Sequence, residues 1–196
     1  YSLKGEAVDN KLVASLSSSP PDVQEELIRA IGRRNMRQEV ERVMEMVGSE
    51  DRNVRVEALR VLGEIGSPDD LPELIALSTG LSSRREREEA ERMLTRIAED
   101  VPEAEGRSAL FLQMLKPLED TDTKVLFIHV LGNLGDEEAL PVLQDYLREE
   151  EADLRQAAIE ALSGWPDASP AGDLLQIIKT TEDRKTHALA VRGYVQ

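Results

Sequence analysis

Apolar residues recur along this chain at helical spacing, in stretches separated by short polar breaks. Val54, Ala58, Val61, Leu62 and Ile65 stand at i, i+4, i+7, i+8 and i+11, which places them on one face of an amphipathic helix. The same pattern starts again at Val23, Glu86, Thr123, Leu154 and Thr186. With Val54 included, successive starts lie 31, 32, 37, 31 and 32 residues apart. Added residues at 99–107 (EDVPEAEGR) account for the one long step.

A second apolar stripe follows each first one. It reads Val40, Val43, Met44, Val47, then Leu71, Leu74, Ile75, then Leu110, Leu112, Leu115. Later copies are Leu140, Leu143, Leu147 and Leu174, Leu175, Ile178. Turn and capping residues separate the two stripes, as in Gly66-Ser67-Pro68-Asp69 and Gly135-Asp136-Glu137. Pro72 and Pro141 fall in the first turn of the second helix, where a missing N–H costs little. Trp165 aligns with Ile65 and is expected inside, while Tyr146 and Tyr194 fall on apolar stripes. Each unit is therefore a helix–turn–helix whose apolar face is too large to bury alone, so neighbouring units must stack.

The units VRVEALRVLGEIGSPDDLPELIALS and LFIHVLGNLGDEEALPVLQDYL resemble bacterial HEAT repeats of the short type also found in phycobilisome-lyase-like proteins. The resemblance runs from about Pro20 to Gln196 and implies an all-α fold, an α-α superhelix: a right-handed solenoid of antiparallel helix pairs. Residues 1–196 then form one array. It has a partial repeat over 1–17 (Val8, Leu12, Val13, Leu16), units starting near 20, 51, 83, 120 and 151, and a half-unit over 183–196. The stretch SGWPDASPAGDLLQIIKTTEDRKTHALAVRGYVQ resembles HEAT modules inside large, often exported, multidomain bacterial proteins. That likeness implies a piece of a longer array and an exported or periplasmic setting, with the cytoplasm as the alternative. It also implies an interaction scaffold or an architectural spacer, although related folds include alkyl-purine DNA glycosylases and bilin lyases.

Charge narrows the partners. Lys and Arg number 24 against 39 Asp and Glu, a formal charge of −15. The excess of acid extends over both halves, so no basic segment is hidden by averaging. An acidic surface repels phosphate, which argues against nucleic acid and against the glycosylase reading, whose channel must also be aromatic. Aromatics are 3% of the chain, and cysteine is absent, which removes disulfides and thiolate metal sites. No apolar run approaches the roughly 20 residues of a membrane span. The expected partner is a protein or peptide, basic in character, and the array is expected to be a monomer without cofactor.

Register supplies the candidate side chains. An acid recurs at Asp51, Asp120, Glu151 and Asp183, and four residues later stands Arg55, Lys124, Arg155 or His187. An acid at a helix start can take up free N–H groups, and its partner at i+4 makes a surface pair. The family resemblance implies inter-repeat contacts for the basic slot, which Arg87 fills in the third unit and Gln24 in the first. His129 occupies the slot of Arg29, Arg60, Arg92 and Arg192 and is expected to face solvent. Two histidines in different units, without HExxH spacing, point to no metal and no catalysis.

Other constellations read the same way. The run Glu149-Glu150-Glu151-Ala152-Asp153 lacks the spacing and central glycine of a calcium loop. Gly63 to Gly66 and Gly132 to Gly135 follow no strand and carry no GKS or GKT, so they mark helix ends or close packing, not a phosphate loop. No GxSxG elbow is present. Solenoids commonly line their concave side with second helices, which here nominates Glu41, Glu45, Glu73, Gln144 and Asp145 as a partner surface. The 99–107 insertion is a further candidate, because it departs from the repeat.

Overall fold

The computed structural model describes residues 5–102 and 106–195, without the side chains of residues 6–8. The expectation for Val8 and the middle of the 99–107 insertion lie outside that description. Twelve α-helices and no strand occur among the described residues. In chain order they are α1 (Glu6–Ser15), α2 (Pro21–Arg33), α3 (Val40–Met46), α4 (Arg52–Ile65), α5 (Leu71–Ser78) and α6 (Arg84–Glu99). Then come α7 (Ala109–Leu115), α8 (Thr121–Leu134), α9 (Leu140–Tyr146), α10 (Ala152–Ser163), α11 (Ala171–Thr180) and α12 (Arg184–Tyr194).

The even-numbered helices are the first helices of successive pairs, and each stacks on the next, from α2 through α4, α6, α8 and α10 to α12. The odd-numbered helices pack mainly on the following pair: α3 on α4, α5 on α6, α7 on α8, α9 on α10 and α11 on α12. This arrangement is an α-α solenoid, and its core is one continuous apolar cluster from Val13 to Ala190. Phe111 and Phe127 meet edge to face inside it, with ring centres 5.8 Å apart. Trp165, at the Ile65 slot, is buried.

Local chemistry explains the boundaries. Asp51, Ser83, Asp120 and Asp183 stand at the N-caps of α4, α6, α8 and α12 and accept backbone N–H bonds from the first turn. Pro21 opens α2, and Pro72 and Pro141 sit in the first turns of α5 and α9. At the C-terminus of α8, Gly135 takes the left-handed conformation (φ 65°) and returns its N–H to Leu131. A side chain there would also strike Pro166, 2.6 Å away.

The caps make a modest, testable contribution. Asp120→Ala removes the acceptor for the Thr123 N–H and for the Thr123 hydroxyl. It is expected to cost about 1 kcal/mol. These hydrogen bonds also hold the Asp120 carboxyl below its ordinary pKa. The contribution is therefore present above the unfolded carboxyl pKa and lost as pH falls through the folded one. Denaturant unfolding at neutral and acid pH checks this: a cost that stays constant into strong acid would refute the capping role.

The spacing of the first helices follows from small residues. Nine positions after each unit start stand Gly32, Gly63, Thr95, Gly132 and Ser163, while seven positions after stand Ala30, Val61, Met93, Val130, Ala161 and Gly193. The first slot of one unit lies over the second slot of the next. Gly32 meets Val61, Gly63 meets Met93, Gly132 meets Ala161 and Ser163 meets Gly193. This contact sets how closely the first helices approach and so shapes the polar face along them.

Candidate functional site

The acidic slot and the basic slot do different work. Asp51 accepts from the N–H groups of Asn53 (2.8 Å) and Val54 (3.2 Å), Asp120 from Thr123 (2.8 Å) and Asp183 from Thr186 (2.7 Å). Glu151 occupies the N-cap of α10, one methylene longer, and its side chain makes no capping bond. The base four residues later does not turn toward this acid, as the sequence suggested. Arg55 reaches back to the carbonyls of Ser49 (2.8 Å) and Glu50 (2.9 Å), Arg87 to Leu81 (2.9 Å) and Arg155 to Glu149 (2.7 Å). Gln24 does the same without charge, donating to the Leu16 carbonyl at 3.1 Å. The preceding loop ends in unpaired carbonyls, and a long donor at this slot satisfies them.

Two arginines also reach forward. Arg55 binds Glu86 of α6 at 2.6 and 2.7 Å, and Arg87 binds Asp122 of α8 at 2.9 Å. Lys124 is half-buried at the same slot, whereas His187 is exposed on α12.

A second polar row runs along the first helices six positions into each unit. Arg29 and Arg60, from adjacent repeats, both engage the buried carboxylate of Glu57, Arg29 at 3.1 Å. Arg60 also bonds Glu64. Burial pushes the Glu57 pKa up, but Arg60 and Arg29 outweigh that and leave it below its ordinary value. Arg92 pairs with Glu89 at 2.7 Å on its own helix. At the next position the row changes character, because His129 stands there and Glu160 follows it.

His129 was expected to face solvent; its side chain is only 25% exposed. Its Nδ1 lies 3.3 Å from Glu91 Oε2 on α6, and its Nε2 lies 3.3 Å from Glu160 Oε2 on α10. The first contact has hydrogen-bond geometry; the second is out of line and acts through charge. Asn133 adds a bond to Glu91 at 2.9 Å. The register hid this because Glu91 sits one position before the shared slot, and its direction depends on how α6 crosses α8.

Around this cluster lies a depression of about 630 Å³ across α6, α8 and α10. Five carboxylates border it (Glu88, Glu91, Asp122, Asp153 and Glu160) against Arg84, Arg87 and His129, over a floor that includes Leu126 and Ala157. Arg84 is drawn to Glu88 and Arg87 to Asp122, each at a favourable distance, 2.7 and 2.9 Å. The remaining character is acidic. Such a hollow attracts a cation, and among the described residues no group of three His, Asp or Glu side chains is placed to hold a metal. Of the five wall carboxylates, Glu160 stands out in the sequence by its departure from the arginine slot; the other four carry no distinguishing pattern.

The nominated second-helix surface lies elsewhere. Glu41 and Glu45 on α3, Glu73 on α5 and Asp145 on α9 are exposed, but none borders the depression. Gln144 is half-buried and donates to Asp173 of α11 at 2.7 Å, so its amide is engaged between repeats. Past the insertion, buried Ser108 donates to Asp136 from its N–H (2.9 Å) and its hydroxyl (2.8 Å), tying that edge to the turn after α8.

A family model described as HEAT repeats matches residues 10–95 and again residues 108–193. The gap between the two matches falls on the insertion. No curated protein matches the chain.

Proposed function

We propose, from the premise that this chain belongs to the HEAT-repeat family, that it is a non-catalytic interaction module whose acidic face receives a basic segment of a partner protein. Repeats of this family typically serve as protein-interaction scaffolds. The observation that carries the basic-partner reading is the depression across α6, α8 and α10, with five carboxylates against two arginines. It offers walls as well as charge, whereas the exposed acids of the second helices offer charge alone. A Lys or Arg side chain entering it would meet carboxylates over an apolar floor that accommodates its methylene stem.

A fluorescent peptide rich in Lys and Arg tests this by anisotropy, beside an acidic peptide of equal length. The basic peptide alone should bind, and its Kd should weaken at least about tenfold between low salt and 0.3 M salt. Reversing Glu88 and Asp153 together to Lys should weaken it about tenfold or more, while Glu41→Lys with Glu45→Lys leaves it nearly unchanged. Equal loss from both pairs would mean diffuse attraction to an acidic surface and would refute the depression as the seat. No binding at low salt would overturn the reading in favour of an architectural spacer between other domains.

A further inference from the structure

We infer that His129 is a proton-operated clasp between repeats: as the imidazolium it joins Glu91 of α6 to Glu160 of α10 and holds three successive first helices together, and as neutral imidazole it lets go of one side. The inference does not depend on any partner binding in the depression.

Geometry carries it. Each ring nitrogen lies 3.3 Å from a carboxylate oxygen, Nδ1 in hydrogen-bond line with Glu91 and Nε2 beside Glu160 but out of line with it. A neutral imidazole has one N–H and one lone pair, so it can satisfy one carboxylate while its lone pair confronts the other. Only the protonated ring presents an N–H to both. In four other units the same slot holds arginine (Arg29, Arg60, Arg92 and Arg192), which stays charged at all accessible pH. There Arg29 of α2 engages Glu57 of α4 permanently. Histidine at this one position converts a fixed rung into one that responds near neutral pH.

The surroundings favour the charged ring. From α6, Glu88 and Glu91 border the same hollow, with Arg84 and Arg87 drawn to Glu88 and Asp122. From α10 come Asp153 and Glu160, and from the histidine's own helix Asp122 and the uncharged Asn133. Burial opposes charge on His129, but the bond and charge of Glu91, with the charge of Glu160, outweigh it and raise the pKa above the ordinary value. The folded state thus holds this proton more tightly than the unfolded chain. Its stabilisation is complete below the unfolded imidazole pKa of about 6.5 and disappears as pH rises through the higher folded value. Glu91, held below its ordinary pKa by His129 and Asn133 against its own burial, stays ionised through this range.

The test uses the full chain. Its two histidines give separate imidazole NMR signals, and the one that remains in His187→Gln belongs to His129. His129 should keep its proton to higher pH than an ordinary imidazole, about 6.5, and Glu91→Gln should bring its midpoint back toward that value. In thermal melts, His129→Gln should lower the midpoint by about 2–4 °C below pH 6.5 and by much less than that above pH 8. His129→Arg should match or exceed the parent and remove the pH dependence, since it restores the fixed rung. A His129 midpoint at the ordinary imidazole value, or a His129→Gln deficit that does not change with pH, would overturn the clasp. If His129→Gln does not fold, the NMR comparison of the parent with Glu91→Gln decides alone.

Discussion

Arg55→Ala should lower the melting midpoint by about 6–12 °C, equivalent to about 3 kcal/mol. The reason lies in what the guanidinium leaves behind. Glu86, its partner on the next repeat, is only 1% exposed, and its Oε1 takes bonds from Arg55 at 2.7 and 2.6 Å. The other oxygen accepts the Ser83 N–H at 3.1 Å, as half of the box that starts α6. Burial pushes the Glu86 pKa up, and the bonds from Ser83 and Arg55 more than offset it, leaving the carboxyl below its usual value. Without Arg55 the carboxylate stays buried with the Ser83 contact alone, and the carbonyls of Ser49 and Glu50 lose a donor as well. An exposed ion pair would cost no more than about 1 kcal/mol, so the size of the effect discriminates. Denaturant unfolding of Arg55→Ala, repeated in a Glu86→Gln background, should show the cost shrinking when the charge is gone. Equal cost in both backgrounds would place the stabilisation in the carbonyl contacts instead. The Glu86 contribution is present above the unfolded carboxyl pKa and is lost as pH falls through the folded one.

Gly132→Ala is the second large effect, at about 2 kcal/mol of net destabilisation. A methyl group at residue 132 would lie 2.5 Å from the Ala161 Cβ and 2.7 Å from its Cα. The obstacle includes backbone, so no rotamer change relieves it; α8 and α10 must move apart, loosening apolar packing on both. The exchange otherwise favours alanine by about 0.5–1 kcal/mol within a helix, and the clash must exceed that gain. Gly172 supplies the control. It lies in the first turn of α11 with nothing within 4 Å of an added Cβ. Gly172→Ala should therefore stabilise by about 0.5 kcal/mol. Paired thermal melts decide the matter, because similar effects at the two sites would dissociate helix spacing from the small-residue slots.

Much of this architecture is present in a one-dimensional pattern because helical period and capping are local properties. Of the acids the register nominated, Asp51, Asp120 and Asp183 sit where free N–H groups need an acceptor, a need that depends only on the next three residues, whereas Glu151 makes no such bond. The inward placement of Trp165 followed from its alignment with Ile65, since the same phase of the same helix faces the same way. Glycine at the α8 terminus and in the packing slots could likewise be read as helix ending or close approach.

Partner choice between repeats lay beyond that reach. An i+4 spacing allowed Asp51 to pair with Arg55, but the acid is already occupied by the helix start and the arginine faces away to carbonyls and to Glu86. Arg29, Arg60, Arg92 and His129 share one slot, yet Arg29 reaches Glu57 of the next repeat, Arg60 and Arg92 pair on their own helices, and His129 meets carboxylates of both neighbours, because each cross-helix meeting depends on how one helix crosses the next. The sequence alone determined that this is a stacked array of helix pairs, where the pairs begin and which side of each helix is apolar. Only the tertiary structure decided that Glu91 and Glu160 close on His129 from two sides and that a hollow opens beside them. A repeat period specifies rotation about a helix axis; the distance and angle between axes come from the packing of side chains such as Gly132 on Ala161, and those set which charges meet.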